Sequence, residues 1–153
     1  MRLPLLVLLL HLFASPGLTG QLLPQSEDLT GAWEGYLLQN EGGIGDRFEL
    51  SMQLRQNGIS LQGTAYVSFN DGSMFAELRL SGHQLPNGSW KLTEVEILRS
   101  KQPERILWCY KHYELVQGYA EGRVVLSGPW WGNTTQGPCI PGSVKIWRKF
   151  KTA

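Results

Sequence analysis

The chain has 153 residues, with 14 Lys+Arg against 13 Asp+Glu, three His, two Cys and six Trp. So even a balance lacks the basic excess that holds proteins to phosphates by counterion release, which argues against nucleic acid as a partner. Two cysteines without neighbouring His ligands do not make a zinc site, and no cofactor motif is present.

Met1-Arg2 precedes a Leu-rich block from Leu3 to Phe13 that breaks at Pro16-Gly17. One positive charge, a short apolar core and small residues form the export-signal pattern, so residues 1–20 are read as a signal peptide and 21–153 as one domain. The apolar block falls short of the about 20 residues that cross a bilayer, and no transmembrane segment follows it. Cleavage after Gly17 satisfies the small-residue rule through Ser15, whereas cleavage after Gly20 leaves Leu18 at that position; a mature start near Gln21 is preferred. Removal takes away Arg2 and His11 and leaves a formally neutral domain, expected in the periplasm or outside the cell. Lys145, Arg148, Lys149 and Lys151 are the one basic concentration and read as a solvated strand end. In an exported chain the pair Cys109 and Cys139 is expected to form a disulfide. It would close a loop of about 31 residues, contributing about 3–4 kcal/mol in the chain-entropy model.

Period-two alternation dominates the chain from Gly31 onward. Gly31 to Gln39 reads as the first strand. Phe48, Leu50, Met52 and Leu54 alternate with polar residues up to Asn57-Gly58, a strong hairpin signal. Leu61, Ala65 and Val67 then share a face up to the Asn70-Asp71-Gly72 turn, and Met74, Ala76, Leu78 and Leu80 continue the meander. After Pro86-Asn87-Gly88, the strand Trp90 to Arg99 shifts its apolar set from Trp90 and Leu92 to Val95 and Ile97. That shift predicts a bulge near Thr93-Glu94, with Glu94 and Glu96 both in water; facing inward, they would instead be paired carboxylates of a glycosidase type. Arg105 to Leu115, Tyr119 to Leu126 and Ser143 to Lys149 complete eight strands; Ser26-Glu27-Asp28 is able to seed one short helical turn. The expected fold class is all-β, an eight-stranded antiparallel up-and-down barrel, with an open two-sheet sandwich as the alternative. Gly35, Gly63 and Gly122, taken as strand glycines, favour the strongly coiled barrel.

Leu29-Thr30-Gly31-Ala32-Trp33-Glu34-Gly35 resembles the Gly-x-Trp opening of the calycin superfamily, the lipocalin-like and avidin-like barrels. The resemblance implies that Trp33 seals one barrel end and packs against a basic residue of the last strand, here Arg148. A second resemblance, to small uncharacterised exported bacterial proteins, is carried by Trp108-Cys109-Tyr110-Lys111, Gly128-Pro129-Trp130 and Cys139-Ile140-Pro141-Gly142-Ser143-Val144-Lys145-Ile146-Trp147-Arg148-Lys149. It implies a Cys109–Cys139 pairing and a final strand after Pro141-Gly142, and no activity.

No catalytic constellation stands out. His112 and Glu114 lie two apart on one strand, too far for a direct pair without favourable rotamers, so an enzyme is the less favoured reading. Trp108, Tyr110, His112 and Glu114 are expected on one strand face, able to line a polar, aromatic cavity, opposite Leu107, Cys109, Lys111, Tyr113 and Leu115. Trp130 and Trp131 are adjacent, so one must leave the core. The candidate binding residues are therefore Trp108, Tyr110, His112, Trp130 and Trp131. The eight-strand pattern with Gly31-x-Trp33 leads to a non-enzymatic barrel that takes a small apolar or amphipathic ligand at its mouth. The rival reading is a cavity-less module presenting the Trp130-Trp131 loop to a protein or glycan. Asn87-Gly88-Ser89 and Asn133-Thr134-Thr135 match the glycosylation pattern, which bears only on a eukaryotic route.

Overall fold

The computed structural model describes residues 26–150, so the expected signal peptide and Lys151 lie outside the described residues. The strands are β1 (Gly31–Gln39), β2 (Arg47–Asn57), β3 (Ser60–Phe69), β4 (Met74–Gln84), β5 (Trp90–Lys101), β6 (Tyr110–Ala120), β7 (Arg123–Thr134), the two-residue β8 (Gly137–Pro138) and β9 (Gly142–Arg148). β1 to β7 pair in chain order, β7 pairs β9, and β9 returns to β1, all antiparallel. The result is a closed eight-stranded up-and-down barrel with β8 folded onto the end of β7. Closure gives every barrel strand a partner on both sides over at least part of its length, unlike the free edges of an open sandwich.

The inward residues are those the alternation marks. Phe48, Leu50, Met52 and Leu54 of β2, Leu61, Ala65 and Val67 of β3, and Met74, Ala76, Leu78 and Leu80 of β4 are all buried. Gly35 and Gly63 sit where neighbouring strands come close. A Cβ there would collide with the carbonyl oxygens of Lys145 and Gln53, respectively. Gly122 is different: it follows Glu121 in a two-residue turn where both have positive φ, +71° and +55°. Ala120 pairs with Arg123 across that turn, so β6 runs on through Gly118 and Tyr119. The predicted break between Leu115 and Tyr119 is thus displaced to a hairpin with the backbone signs of a type I′ turn. β7 likewise continues past Leu126 to Thr134, and residues 105–109 precede β6 as irregular chain.

One end of the barrel is sealed from the N-terminal side. Ser26 to Thr30 forms no helical turn and is irregular chain at the opening. Leu29 is fully buried there, and its carbonyl accepts the Trp33 indole N–H at 2.9 Å. Trp33 pairs with Arg148 across β1 and β9, and the guanidinium carbon lies 4.9 Å from the indole centroid, the packing that the calycin resemblance implies. Arg148 also holds Glu27 at 3.0 Å and donates to the Asp28 carbonyl, while Tyr119 donates to Glu27. Asp28 Oδ1 accepts the Thr30 amide at 2.5 Å. Hydrogen bonds from the Thr30 side chain and amide hold the Asp28 carboxyl below its ordinary value, helped by the charge of Arg148. Their contribution is present above the ordinary carboxylate range and fades as pH falls through the lowered value.

Truncating the plug tests this seal. Leu29→Ala should cost about 2–5 kcal/mol in urea unfolding, the range for deleting a buried leucine. A cost under about 0.5 kcal/mol would mean that the N-terminal segment is not part of the core.

Candidate functional site at the open barrel mouth

Above the Trp33 seal the barrel is filled by side chains, Trp90, Tyr113, Leu92, Leu115 and Leu126 among those fully buried. Free space remains at the opposite end. There Leu37, Phe48, Val67, Ile106, Trp108 and Trp130 wall a cavity of about 180 Å³, with Lys111 and the two cysteines also in its lining. That is below the about 300–1,000 Å³ usual for ligand pockets, yet slightly above the about 150 Å³ known to admit benzene.

The cavity exists because β5 and β6 separate. Their ladder runs only from Trp90↔Leu115 to Thr93↔His112. Beyond it β5 stays with β4 and carries two extra residues, Val95 between the pairs Leu80↔Glu94 and Arg79↔Glu96, and Leu98 between Leu78↔Ile97 and Glu77↔Arg99. The predicted bulge is therefore real, but the strand changes parity after Glu94 rather than before it. Glu94 continues the inward set of Trp90 and Leu92, whereas Val95 is half exposed. This corrects the expectation that both acids face water: Glu96 does so, paired with Arg79 at 3.1 Å, but Glu94 is only 2% exposed inside the barrel.

Three polar groups meet there. Glu94 Oε2 accepts the Lys111 amide at 2.8 Å and the Lys111 ammonium at 3.4 Å; Oε1 accepts the Tyr113 hydroxyl at 2.5 Å. The carboxylate thus replaces the β5 carbonyl that would otherwise receive the Lys111 amide. Lys111 is 4% exposed. Its Nζ also donates to the Cys109 carbonyl at 3.1 Å and lies 5.7 and 5.8 Å from the Trp108 and Trp130 ring centroids. Pairing, hydrogen bonds and cation–π contact together offset the desolvation of a buried cation. Burial, then the Glu94 charge and hydrogen bond, push the Tyr113 phenol well above its ordinary value.

The remaining lining is held by the loops around the mouth. Cys109 and Cys139 are joined by a disulfide, with Cα atoms 6.2 Å apart, which ties the segment before β6 to the segment before β9. Trp108 is steadied by its indole N–H on Gln102 at 3.0 Å, and Trp130 by a bond to the Leu38 carbonyl at 2.8 Å.

The five predicted binding residues divide between two sides of the wall. Trp108 and Trp130 line the mouth cavity. Tyr110, His112 and Trp131 face outward, with His112 stacked on Trp131 at 5.9 Å between centroids. The expected common face fails at Trp108, which precedes β6 and lies outside its alternation. Of the Trp pair, Trp130 is 2% and Trp131 37% exposed, as adjacency on a strand requires. His112 Nδ1 lies 3.0 Å from Thr93 Oγ1, while Glu114 accepts from Ser89, so these two residues are bonded to different partners. Lys111 and Tyr113 are not among the candidates, and Glu94 is one only as an inward carboxylate paired with Glu96, which the outward position of Glu96 rules out. The available signal was Lys111 and Tyr113 sharing the face of buried Leu115.

Comparison with protein-family models, with curated proteins and with solved structures gave no match. The chain is defined by its geometry: a disulfide-stapled, closed eight-stranded antiparallel barrel, consistent with a calycin-like fold, packed at one end and holding a small cavity at the other.

Alkali tests the buried cluster. A phenol whose folded value is raised contributes stability below its ordinary value of 10.0 that is lost as pH rises. Tyr113 should therefore ionise only as the barrel unfolds, with phenolate absorbance and near-ultraviolet circular dichroism changing together for that residue. Reversible ionisation of Tyr113 in an intact barrel, followed by ring-labelled tyrosine NMR, would contradict its burial against Glu94.

Proposed function

We propose that this protein is an exported, non-enzymatic barrel that binds a small, largely apolar molecule at its open mouth. The observation that carries the reading is the cavity of about 180 Å³ between Trp108 and Trp130, walled mainly by apolar side chains and carrying one charged residue, Lys111. A cavity of this size accepts a compound of about one aromatic ring, gaining roughly 25 cal/mol per Å² of apolar surface removed from water. The packed lower barrel limits the ligand to this scale and disfavours a long acyl chain or a retinoid. The disulfide supports export, since such bonds persist in oxidising compartments.

Toluene is the simplest probe, read by Trp emission. The wild-type chain should saturate with a dissociation constant on the order of 1 mM, about −4 kcal/mol. Ile106→Phe, which fills the cavity, should weaken binding at least tenfold, while Trp131→Ala on the outer face should leave it unchanged. Loss of binding in Trp131→Ala with retention in Ile106→Phe would move the site to the outer aromatic face and favour the interaction-module reading.

A further inference from the structure

The chemistry of the Lys111 ammonium narrows the ligand class, and this step rests on the mouth cavity being the binding site. Among the described residues Lys111 is the single charged one in the cavity lining. The other polar side chains direct their hydrogen bonds to the rim: Gln39 donates to the Ile140 carbonyl and accepts from the Ile44 amide, and Thr134 donates to the Gly137 carbonyl and accepts from the Gln136 amide. Among the described residues Lys111 Nζ donates two hydrogen bonds, to Glu94 and to the Cys109 carbonyl. An ammonium has three donors, so one N–H has no oxygen or nitrogen partner, and Nζ sits between the Trp108 and Trp130 rings of the cavity wall, 5.7 and 5.8 Å from their centroids.

We propose that the mouth cavity selects uncharged, ring-sized apolar molecules bearing one hydrogen-bond acceptor, and that Lys111 is the residue that reads the acceptor. Charge balance decides between the alternatives. The Lys111–Glu94 pair is formally neutral, with the Lys111 and Glu94 side chains 5% and 0% exposed. A carboxylate ligand would place a second anion on one buried cation, and nothing else in the lining carries positive charge to balance it. An ammonium ligand would meet Lys111 directly and be repelled. A hydrocarbon fits the space but, by excluding water, leaves the third N–H buried and unpaired. A carbonyl, amide or ether oxygen satisfies that donor and adds no charge.

The test compares four probes of nearly equal size on the full chain: benzamide, toluene, benzoate and benzylamine, followed by Trp emission and by amide NMR. A hydrogen bond to a charged donor predicts benzamide binding at least about tenfold tighter than toluene, with benzoate and benzylamine both weaker than benzamide. Lys111→Met should erase the benzamide preference while toluene is retained or improved. If that variant fails to fold, Lys111→Met/Glu94→Gln removes both charges and keeps an acceptor for Tyr113, and the same loss of preference is expected. Benzoate binding tighter than benzamide, or a benzamide preference that persists without Lys111, would overturn the inference. Absence of binding by all four probes, toluene included, would instead remove the cavity as a ligand site.

Discussion

The Glu94 carboxylate stands where β5 and β6 part, and the open half of the barrel is organised around it. With the ladder ended at Thr93↔His112, the Lys111 amide has no β5 carbonyl opposite and donates to Glu94 Oε2 instead. A buried backbone donor without a partner is costly, and a charged acceptor is among the stronger replacements. The same carboxylate then requires its own compensation, which Lys111 and Tyr113 supply. A polar cluster inside an apolar barrel is costly wherever a member lacks a partner, and these contacts meet most of that cost. Here one side chain both bridges a gap in the sheet and sets the charge at the base of the cavity.

The two ends of the barrel follow from this asymmetry. At the closed end β5 and β6 are joined by their ladder, and Leu29, Trp33 and Arg148 form a plug. At the other end the bulges at Val95 and Leu98 carry β5 away from β6, and residues 102–109 enter the gap with Trp108 and the disulfide. Space is therefore left where side-chain packing is replaced by loops. Rigid walls around a small void favour a preformed site, because little order has to be gained on binding.

Much of this was legible in the amino-acid order. β2, β3 and β4 alternate without interruption, so their inward faces, the meander and the barrel class could be read directly. Adjacency alone required that Trp130 and Trp131 part. The Glu121-Gly122 turn was hidden because it lacks the usual Asn or Asp, and Gly118 inside β6 imitated a break. Glu94 was hidden by a single residue of bulge position: with the extra residue placed before it the acid faces water, and with Val95 as the extra residue it faces the core. Period-two patterns cannot resolve that choice, because a one-residue shift inverts every side chain beyond it. The pairing partners of Glu94 lie on β6, 17 and 19 residues away, and only the closed sheet brings them together.

Hydrogen exchange at the Lys111 amide tests the central role of Glu94 most directly. In the wild-type chain its protection should be comparable to that of the amides in the central β3–β4 ladder. In Glu94→Ala that protection should fall by orders of magnitude while the β3–β4 amides remain slow. A Lys111 amide that exchanges as fast as the loop amides in the wild-type chain, or that stays equally protected in Glu94→Ala, would contradict this role.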